Sequence, residues 1–217
     1  MLLMLVLFLV AYLIGAIPFA LLLSRMKGVD IRQVGSGNVG ATNVFRSVSK
    51  GLGAMTFTCD VLKGFLPVFL FPLIWPVEQL PENAGLLYGC AAIAGHNWPV
   101  YLRFRGGKGV ATSAGVLLGV APPAVGIGLA TWIALFVITR YVSLASIGAA
   151  IAIPAASWWL YGAENLVLPI ILTILGMLII WRHRSNIKRL LDGTEHEFRK
   201  EKVGTTEDAG VRRGGKE

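Results

Sequence analysis

An uninterrupted apolar stretch, Leu2 to Leu23, opens the chain and restricts what it can fold into. A helix of that length, at about 1.5 Å per residue, crosses a hydrocarbon core of about 30 Å. The stretch lacks a preceding cation and a small-residue cleavage site, and its first cation is Arg25, which indicates a membrane anchor rather than a secretory signal. Only 15% of all residues are charged, against about 25% in soluble domains. The sequence therefore predicts a membrane protein.

Further apolar blocks alternate with interruptions by Gly, Pro and charged residues. They predict an all-α polytopic membrane protein with seven transmembrane helices. The predicted spans lie near 2–24, 52–75, 84–101, 109–121, 123–139, 142–161 and 165–181. The fourth block is short for a crossing and ends at Pro122-Pro123, so hydropathy alone is consistent with five to seven spans. The distribution of charge separates these possibilities.

Positive charge is confined to alternate connections between the predicted spans. Lys and Arg occur in 25–50 and 102–108, at Arg140 and from Arg182 onward. The connections at 76–83, 122 and 162–164 have none, and their only charged residues are Glu78, Glu82 and Glu164. Because cytoplasmic connections are rich in Lys and Arg, seven crossings are predicted, with the N-terminus outside and the C-terminus in the cytoplasm.

The predicted membrane domain covers residues 1–191 and carries its basic loops on the cytoplasmic side. The segment 192–217 is polar, mixed in charge and without apolar periodicity. Such a segment cannot bury a core of its own. It is predicted to be a disordered cytoplasmic tail.

Residues 35–46, GSGNVGATNVFR, form the first segment that can carry chemistry. They contain the spacing G-x-G-x-x-G, but a dinucleotide-binding fold needs a preceding strand, a crossover helix and an acidic residue about 20 positions on. Here membrane spans flank the motif instead. Glycines let successive backbone N–H groups face one anion. The polar groups beside them are Ser36, Asn38, Thr42, Asn43 and Arg46. The segment is either an anion cradle or a flexible loop whose glycines only permit turns.

The second segment, residues 95–109, reads GHNWPVYLRFRGGKG and brings three cations to a glycine cluster. The fourth span follows directly, and the N-terminus of a helix favours anions. Lys108 adds a formal charge at that point. A Walker A motif needs Ser or Thr after its lysine, whereas Gly109 follows Lys108. The expected guest is a phosphate, without an argument for ATP.

The third segment, residues 182–189, reads RHRSNIKR and places His183 and Asn186 on one face of a helix. Its cations are equally well explained by the orientation of the chain in the membrane. Ser143 and Ser146, at the start of the sixth span, lie on the same predicted side. Topology thus allows the three segments and these serines to form one composite site.

Few ionisable or metal-binding residue types fall within the predicted spans. Asp60 and Lys63 lie three residues apart in the second span, where charge is costly. They either support the site or neutralise one another within the bundle. Cys59 and Cys90 have no metal-ligand spacing, and no acidic cluster predicts a catalytic metal. A reaction without metal or other cofactor is expected.

Four motifs stand in order between these spans: GSGNVGATNVFR, GHNWPVYLRFRGGKGVATS, RYVSLASI and RHRSNIKRLLDGTEH. From about residue 10 to residue 198 the chain resembles the bacterial acyl-phosphate glycerol-3-phosphate acyltransferases. The resemblance implies transfer of a fatty acyl group from acyl-phosphate, rather than acyl-CoA or acyl carrier protein, to the 1-hydroxyl of glycerol 3-phosphate. The products are lysophosphatidate and phosphate, in the first step of phospholipid biosynthesis. It also implies a multi-pass protein of the bacterial inner membrane with a cytoplasmic active site.

The same resemblance implies which residues form the site. Those expected to act in catalysis are Ser36, Arg46, Lys108, His183 and Asn186. The resemblance also implies that Gly37, Asn38 and Ser146 bind substrate or phosphate, and the anion-cradle interpretation adds Thr42 and Asn43 to them. Other glycerolipid acyltransferases use a His-x-x-x-x-Asp pair, but His96 is followed five positions later by Tyr101. Because acyl-phosphate has a good leaving group, direct attack without an acyl-enzyme is expected, with a substrate phosphate oxygen or His183 as base.

A transporter of a phosphorylated metabolite is the alternative function, because short, interrupted spans and basic loops also mark substrate paths. The outward connections are short and nearly featureless, and the two halves show no convincing repeat, which favours an enzyme with a one-sided site. The expected partners are acyl-phosphate, glycerol 3-phosphate and the lipid bilayer. No nucleic acid and no obligate protein partner is expected.

Overall fold

The computed structural model describes residues 2–74 and 84–198, and the regular structure of these ranges is helical throughout. Their α-helices are α1 (Leu2–Ala16), α2 (Phe19–Arg25), α3 (Ala41–Ser47), α4 (Lys50–Ile74), α5 (Ala84–Asn97), α6 (Val110–Val120), α7 (Pro122–Thr139), α8 (Val142–Tyr161), α9 (Val167–Arg182) and α10 (Arg184–Leu191). A 3-10 turn, Val100–Leu102, follows α5. The predicted all-α class is confirmed for the described chain.

The predicted spans correspond to helices, but three of them are interrupted or shortened. The first divides into α1 and α2 at Ile17 and Pro18, because proline has no N–H to donate to the helix. The third ends at Asn97, shortly before Pro99. The last is followed by α10, which is bent by 55° from α9 at His183. The interruptions at Asn97 and His183 lie within the second and third segments that the sequence singles out.

Length and composition identify fewer spans than the charge pattern predicts. Four helical segments of the described chain are long and apolar enough to cross a membrane: α1 with α2, α4, α7 and α8. A fifth is added if α9 and α10 form one bent span. Helices α5 and α6 have only 14 and 11 residues. The seven-span count and its orientation therefore stay predictions.

The bundle is apolar outside and closely packed inside. Large exposed side chains on its surface include Leu5, Phe69, Ile133 and Trp159. Small residues let membrane helices approach closely, and a Cβ on Gly64 would clash with the backbone of Thr112. A Cβ on Gly115 would clash with the backbone of Val61. Helices α4 and α6 therefore pack backbone to backbone, which brings the start of α6 against the middle of α4.

The residues after α10 turn back onto the bundle. The Phe198 N–H donates a hydrogen bond to the Arg140 carbonyl at 2.9 Å. Its ring packs against those of Phe45 and Phe136, with centroids 5.4 and 5.6 Å away. One aromatic side chain can anchor a polar segment that lacks periodicity. Phe198 is therefore packed against the helices. Most of the tail for which disorder is predicted, residues 199–217, lies outside the described residues, and the disorder stays a prediction.

Candidate active site

The first loop, residues 26–40, is organised around the buried side chain of Asn43. The Asn43 side-chain oxygen accepts a hydrogen bond from the Ser36 N–H at 3.1 Å. Its nitrogen donates toward three backbone carbonyls at 3.1 Å each, those of Ile31, Val34 and Asn38. An amide nitrogen carries two N–H donors, so these acceptors share them. Asn43 is thus engaged with the backbone of the loop, a role that the sequence does not reveal.

The other predicted residues of this loop surround a turn. Gly37 has a φ of +67°, which favours glycine because a side chain is strained there. The Asn38 N–H donates to the hydroxyl of the exposed Ser36 at 3.4 Å. Thr42 lies in the first turn of α3. Ser36 is therefore accessible to a substrate, and phosphate binding by these residues stays a prediction.

The second loop, residues 103–109, is held by a guanidinium from the end of α9. Arg182 donates hydrogen bonds to the carbonyls of Asn97, Gly106 and Gly107 at 3.3, 2.9 and 3.1 Å. These contacts join residues at least 75 positions apart. Sequence reasoning treats Arg182 only as an orienting cation, because a contact of that range leaves no local signal.

Close backbone approach fixes the end of the second loop. A Cβ on Gly107 would clash with the His96 ring, so only glycine allows the loop to lie against it. Gly109 has a φ of +86° and is the N-cap residue of α6. Lys108, between these two glycines, is therefore presented at the start of α6, as its sequence context predicts.

His183 and Asn186 lie at the bend between α9 and α10. His183 is 3% exposed, and its Nδ1 lies 2.8 Å from the Ile179 carbonyl. A carbonyl can only accept, so Nδ1 carries the hydrogen and Nε2 is the acceptor of the neutral ring. Asn186, also buried, accepts a hydrogen bond through Oδ1 from the ammonium group of Lys108. The second and third segments therefore meet.

Glu195 is the central acceptor of this cluster. Its carboxylate accepts hydrogen bonds from Ser143 Oγ, Asn186 Nδ2 and Arg189 Nε, each at 2.7 Å. Its side chain is only 5% exposed. Sequence reasoning missed Glu195, because an acid in a polar segment resembles a solvated residue. The available signal was its place within the last motif, RHRSNIKRLLDGTEH.

Arg46 reaches the same returning segment from α3. It donates a hydrogen bond to the His196 carbonyl at 3.1 Å. Its guanidinium carbon lies 5.3 Å from the centre of the Phe198 ring, within range of a cation–π contact. The segment 195–198 thus connects Arg46 of the first motif to the Lys108 cluster.

Ser146 lies on α8, one turn beyond Ser143. Its hydroxyl donates to the Val142 carbonyl at 2.7 Å and accepts from the Trp132 indole N–H at 3.3 Å. These bonds fix its rotamer at the edge of the cluster.

Within residues 2–74 and 84–198, no group of three His, Cys, Asp or Glu side chains is arranged to hold a metal ion.

Burial acts on the pKa values of the cluster together with hydrogen bonds and neighbouring charges. It lowers the pKa of Lys108 to about 8, an effect that neighbouring arginines increase and Glu195 opposes. Burial, followed by the charge of Lys108, lowers the pKa of His183 to about 4. Burial alone would raise the pKa of Glu195, but hydrogen bonds from Asn186, Ser143 and Arg189 together lower it. Near neutral pH the cluster therefore holds a charged lysine, a neutral histidine and a carboxylate.

The helical bundle is apolar on its surface, as in an integral membrane protein. Its loops bring cations, amides and hydroxyls into one cluster, and such groups bind phosphate. The family model for glycerol-3-phosphate acyltransferase matches residues 5–193. This chain belongs to the glycerol-3-phosphate acyltransferase family.

Individual relatives agree with the family match. The chain is 45% identical over 191 residues to the glycerol-3-phosphate acyltransferase of Erythrobacter litoralis, covering 86% of this chain and 91% of the relative. It is 47% identical over 190 residues to that of Geotalea daltonii, covering 88% and 95%. The family resemblance that the motifs indicate is confirmed.

Solved structures are similar as well. The chain superimposes on PlsY (YgiH), an integral membrane glycerol 3-phosphate acyltransferase, in its glycerol 3-phosphate form with a TM-score of 0.82. The identity is 41%, over 90% of this chain and 96% of that chain. The lysophosphatidic acid form gives a TM-score of 0.79 at 40% identity, over 89% and 94%. The protein is therefore a membrane enzyme of the glycerol-3-phosphate acyltransferase class.

Proposed function

We propose that this enzyme transfers a fatty acyl group from acyl-phosphate to the 1-hydroxyl of glycerol 3-phosphate, giving 1-acyl-glycerol 3-phosphate and phosphate. The observation that carries the proposal is the contact between Lys108 and Asn186, beside the buried His183. It gathers a cation and polar groups where two phosphate-bearing substrates need them. The glycerol 3-phosphate and lysophosphatidic acid forms of the solved relative correspond to a substrate and the product of this reaction.

The proposed chemistry is direct attack, without an acyl-enzyme. Acyl-phosphate is a mixed anhydride, so the glycerol oxygen attacks the carbonyl carbon and forms the ester bond. The bond between that carbon and the phosphate oxygen breaks, and phosphate leaves with its electron pair. Lys108 and Arg46 offset the charge of the phosphates. Ser36 and Asn186 orient them, because correct placement is a large part of the rate gain in such a reaction.

The proton of the attacking hydroxyl goes to a phosphate oxygen of the substrate. The pKa of His183 is lowered to about 4 by burial and by Lys108. The second ionisation of a phosphate ester has a pKa of about 6, so the phosphate is the stronger base of the two. His183 instead accepts a hydrogen bond through Nε2 and orients the glycerol hydroxyl. This division of roles gives the ring a function without requiring that it be protonated.

The proposed topology has seven crossings and places the site on the cytoplasmic side of the bacterial inner membrane. The segregation of Lys and Arg supports it. Helix α6, with 11 residues, covers about 16 Å at about 1.5 Å per residue. A crossing by α6 therefore requires that the second loop lie inside the headgroup boundary. Placing the loop there shields its charge from bulk water and strengthens phosphate binding.

Thiol labelling in intact cells tests this orientation. After Cys59 and Cys90 are replaced by alanine, single cysteines are introduced as Arg140→Cys and Glu164→Cys, at opposite ends of α8. A membrane-impermeant reagent added outside should label only the second. Labelling of Arg140→Cys alone would show that the protein has the opposite orientation.

The activity is tested with detergent-purified protein, acyl-phosphate and glycerol 3-phosphate. Lysophosphatidate and phosphate should form in equal amounts, and acyl-CoA in place of acyl-phosphate should give none. Product formed from acyl-CoA would keep the acyltransferase and reject the donor. No product from either donor, with uptake of glycerol 3-phosphate into proteoliposomes, would support the transporter.

A further inference from the structure

A cluster of ionisable side chains is buried where α4 passes the break between α1 and α2. Lys63 Nζ lies 2.7 Å from Asp60 Oδ1, and each side chain is 3% exposed. His96, at the end of α5, approaches the same carboxylate oxygen, with Nδ1 at 3.7 Å. Charge inside a membrane protein is costly, and mutual neutralisation alone gains little over an apolar pair of the same volume. The contacts of the three residues with their surroundings therefore indicate what the cluster does.

One end of the cluster holds the helix break. Lys63 donates a hydrogen bond to the Ile17 carbonyl at 2.9 Å. Helix ends leave carbonyls without an intrahelical partner, and Pro18 cannot donate to the preceding turn. The Lys63 ammonium also lies 5.7 Å from the centre of the Phe19 ring. The break in the first span is thus stabilised by a lysine whose charge Asp60 balances.

The other end of the cluster holds the second loop. The His96 carbonyl accepts the Gly107 N–H at 3.1 Å, and the His96 ring lies so close to Gly107 that a Cβ there would overlap Nε2. A cavity of about 10 Å³ is lined both by the three ionisable residues and by Gly106 and Gly107. The next residue of the chain is Lys108. Gly107, which His96 contacts, is therefore bonded directly to the site lysine.

We propose that Asp60, Lys63 and His96 are positioning residues for acyl transfer. His96 holds Gly107, Asp60 lies against the His96 ring and is paired with Lys63, and in this way the cluster sets the place of the Lys108 ammonium relative to Asn186. The polar contacts that the described chain shows for them are with one another, with the Ile17 carbonyl and with the second loop. They act through the loop and do not touch substrate. The inference rests on the proposed acyltransferase activity.

Substitutions that remove the charges singly and together test the proposal: Lys63→Met, Asp60→Asn and the double variant. Thr56→Ala is the matched control, because Thr56 is fully buried one turn earlier on α4. Its hydroxyl donates to the Leu52 carbonyl of its own helix at 2.7 Å, and the structure shows it no other side-chain hydrogen bond within 2–74 and 84–198. Lysophosphatidate formation per folded molecule is measured at varied glycerol 3-phosphate. The midpoint of thermal unfolding is measured with and without glycerol 3-phosphate.

The double variant should unfold at a lower temperature than Thr56→Ala, because the Ile17 carbonyl loses its lysine donor. Its kcat/KM per folded molecule should also fall at least about tenfold, because a displacement of about 1 Å in a site can cost about 100-fold. It should also lose most of the rise in midpoint that glycerol 3-phosphate produces in the wild type, since that rise reports binding to the folded state. A purely structural cluster lowers stability alone. Lower yield and midpoint, with unchanged kcat/KM per folded molecule and an unchanged ligand-induced rise, would overturn the proposal.

The wild type, measured in parallel, separates the two proposals. An inactive wild type rejects the acyltransferase function, whereas an active wild type with equally active variants rejects only the positioning role. If no α4 variant yields folded protein, His96→Gln decides, because it leaves the ion pair intact. A tenfold loss in this variant supports the proposal. Wild-type kcat/KM, or failure of this variant to fold as well, assigns the cluster a structural role and overturns the proposal.

Discussion

The ammonium group of Lys108 donates a hydrogen bond to the side-chain oxygen of Asn186, 78 positions further along the chain. Asn186 in turn donates to Glu195 at 2.7 Å. A cation, an amide and a carboxylate thus form one hydrogen-bonded chain across the second loop, α10 and the returning segment. In the proposed reaction, a substrate phosphate oxygen replaces the amide oxygen as the acceptor of Lys108. The proposal therefore predicts that Lys108 exchanges an acceptor of the protein for one of the substrate.

Lys108→Ala should lower kcat/KM by at least about 100-fold, because it removes the charge-assisted donor to the phosphates. Lysophosphatidate formation measures the loss, and membrane insertion and thermal unfolding show that the variant folds. Lys188→Ala is the control, since that side chain is 78% exposed and its one ion pair among the described residues is with the exposed Asp192. It should keep wild-type turnover. Wild-type turnover in Lys108→Ala would remove Lys108 from the site.

The affinity for glycerol 3-phosphate should weaken as pH rises through about 8. The pKa of Lys108 is lowered to about 8 by burial, so its ammonium is present at neutral pH and lost above that value. If only the charged form binds phosphate, KM rises about tenfold per pH unit above the pKa. Phosphate esters, with a second pKa of about 6, are already fully ionised in this range. Initial rates at varied substrate between about pH 7 and pH 10 measure the effect.

Lys108→Arg is the control for this pH dependence, because a guanidinium stays charged throughout the range. Its turnover should be lower, since arginine presents a different geometry, but its KM should not change with pH. A flat profile in the wild type, or a rising one in the arginine variant, would contradict the role of Lys108 ionisation.

Glu195 and Asp192, the two acids after α10, form one buried and one exposed ion pair, so substituting each in turn distinguishes a contact of the site from a contact of the surface. Arg189–Glu195 and Lys188–Asp192 are both 2.7 Å ion pairs, but the Glu195 side chain is 5% exposed and that of Asp192 48%. Glu195→Gln should lower turnover about tenfold or more and stability by about 1–3 kcal/mol, because buried partners lose an ionised acceptor. Asp192→Asn should change stability by less than about 1 kcal/mol and leave turnover unchanged. Equal effects of the two substitutions would show that Glu195 does not organise the site.

The sequence predicts local features of this protein well. Apolar blocks locate the helices, and the helical period places His183 and Asn186 on one face. Lys108 directly precedes Gly109, the N-cap residue of α6, so its place at the start of this helix follows from the sequence. Each of these features depends on residues that are close together in the chain. For that reason one sequence is sufficient to predict them.

Contacts between distant parts of the chain could not be predicted in the same way. The clamp of Arg182 on Gly107 spans 75 positions and the bond of Ser143 to Glu195 spans 52. Neither contact leaves a periodic pattern. Hydropathy also treats Leu2–Leu23 as one span, although Pro18 divides it. The break is stabilised by a hydrogen bond from Lys63, 46 positions from Ile17. A contact between residues so far apart in the chain cannot be predicted from hydropathy.

Gly107→Ala should lower the activity of the enzyme although it adds only one methyl group. The new Cβ would overlap the His96 ring and lie 2.8 Å from the Val39 carbonyl, so the second loop must shift and carry Lys108 with it. We expect kcat/KM to fall at least about tenfold, as displacement of a site residue requires, together with a lower midpoint of thermal unfolding. Gly126→Ala, inside α7, is the control, because open space surrounds its Cβ position. Alanine is favoured over glycine in a helix by about 0.5–1 kcal/mol, so this variant should keep full activity and unfold at the same or a higher temperature. Equal activity of the two variants would show that close approach of His96 to Gly107 does not set the geometry of the site.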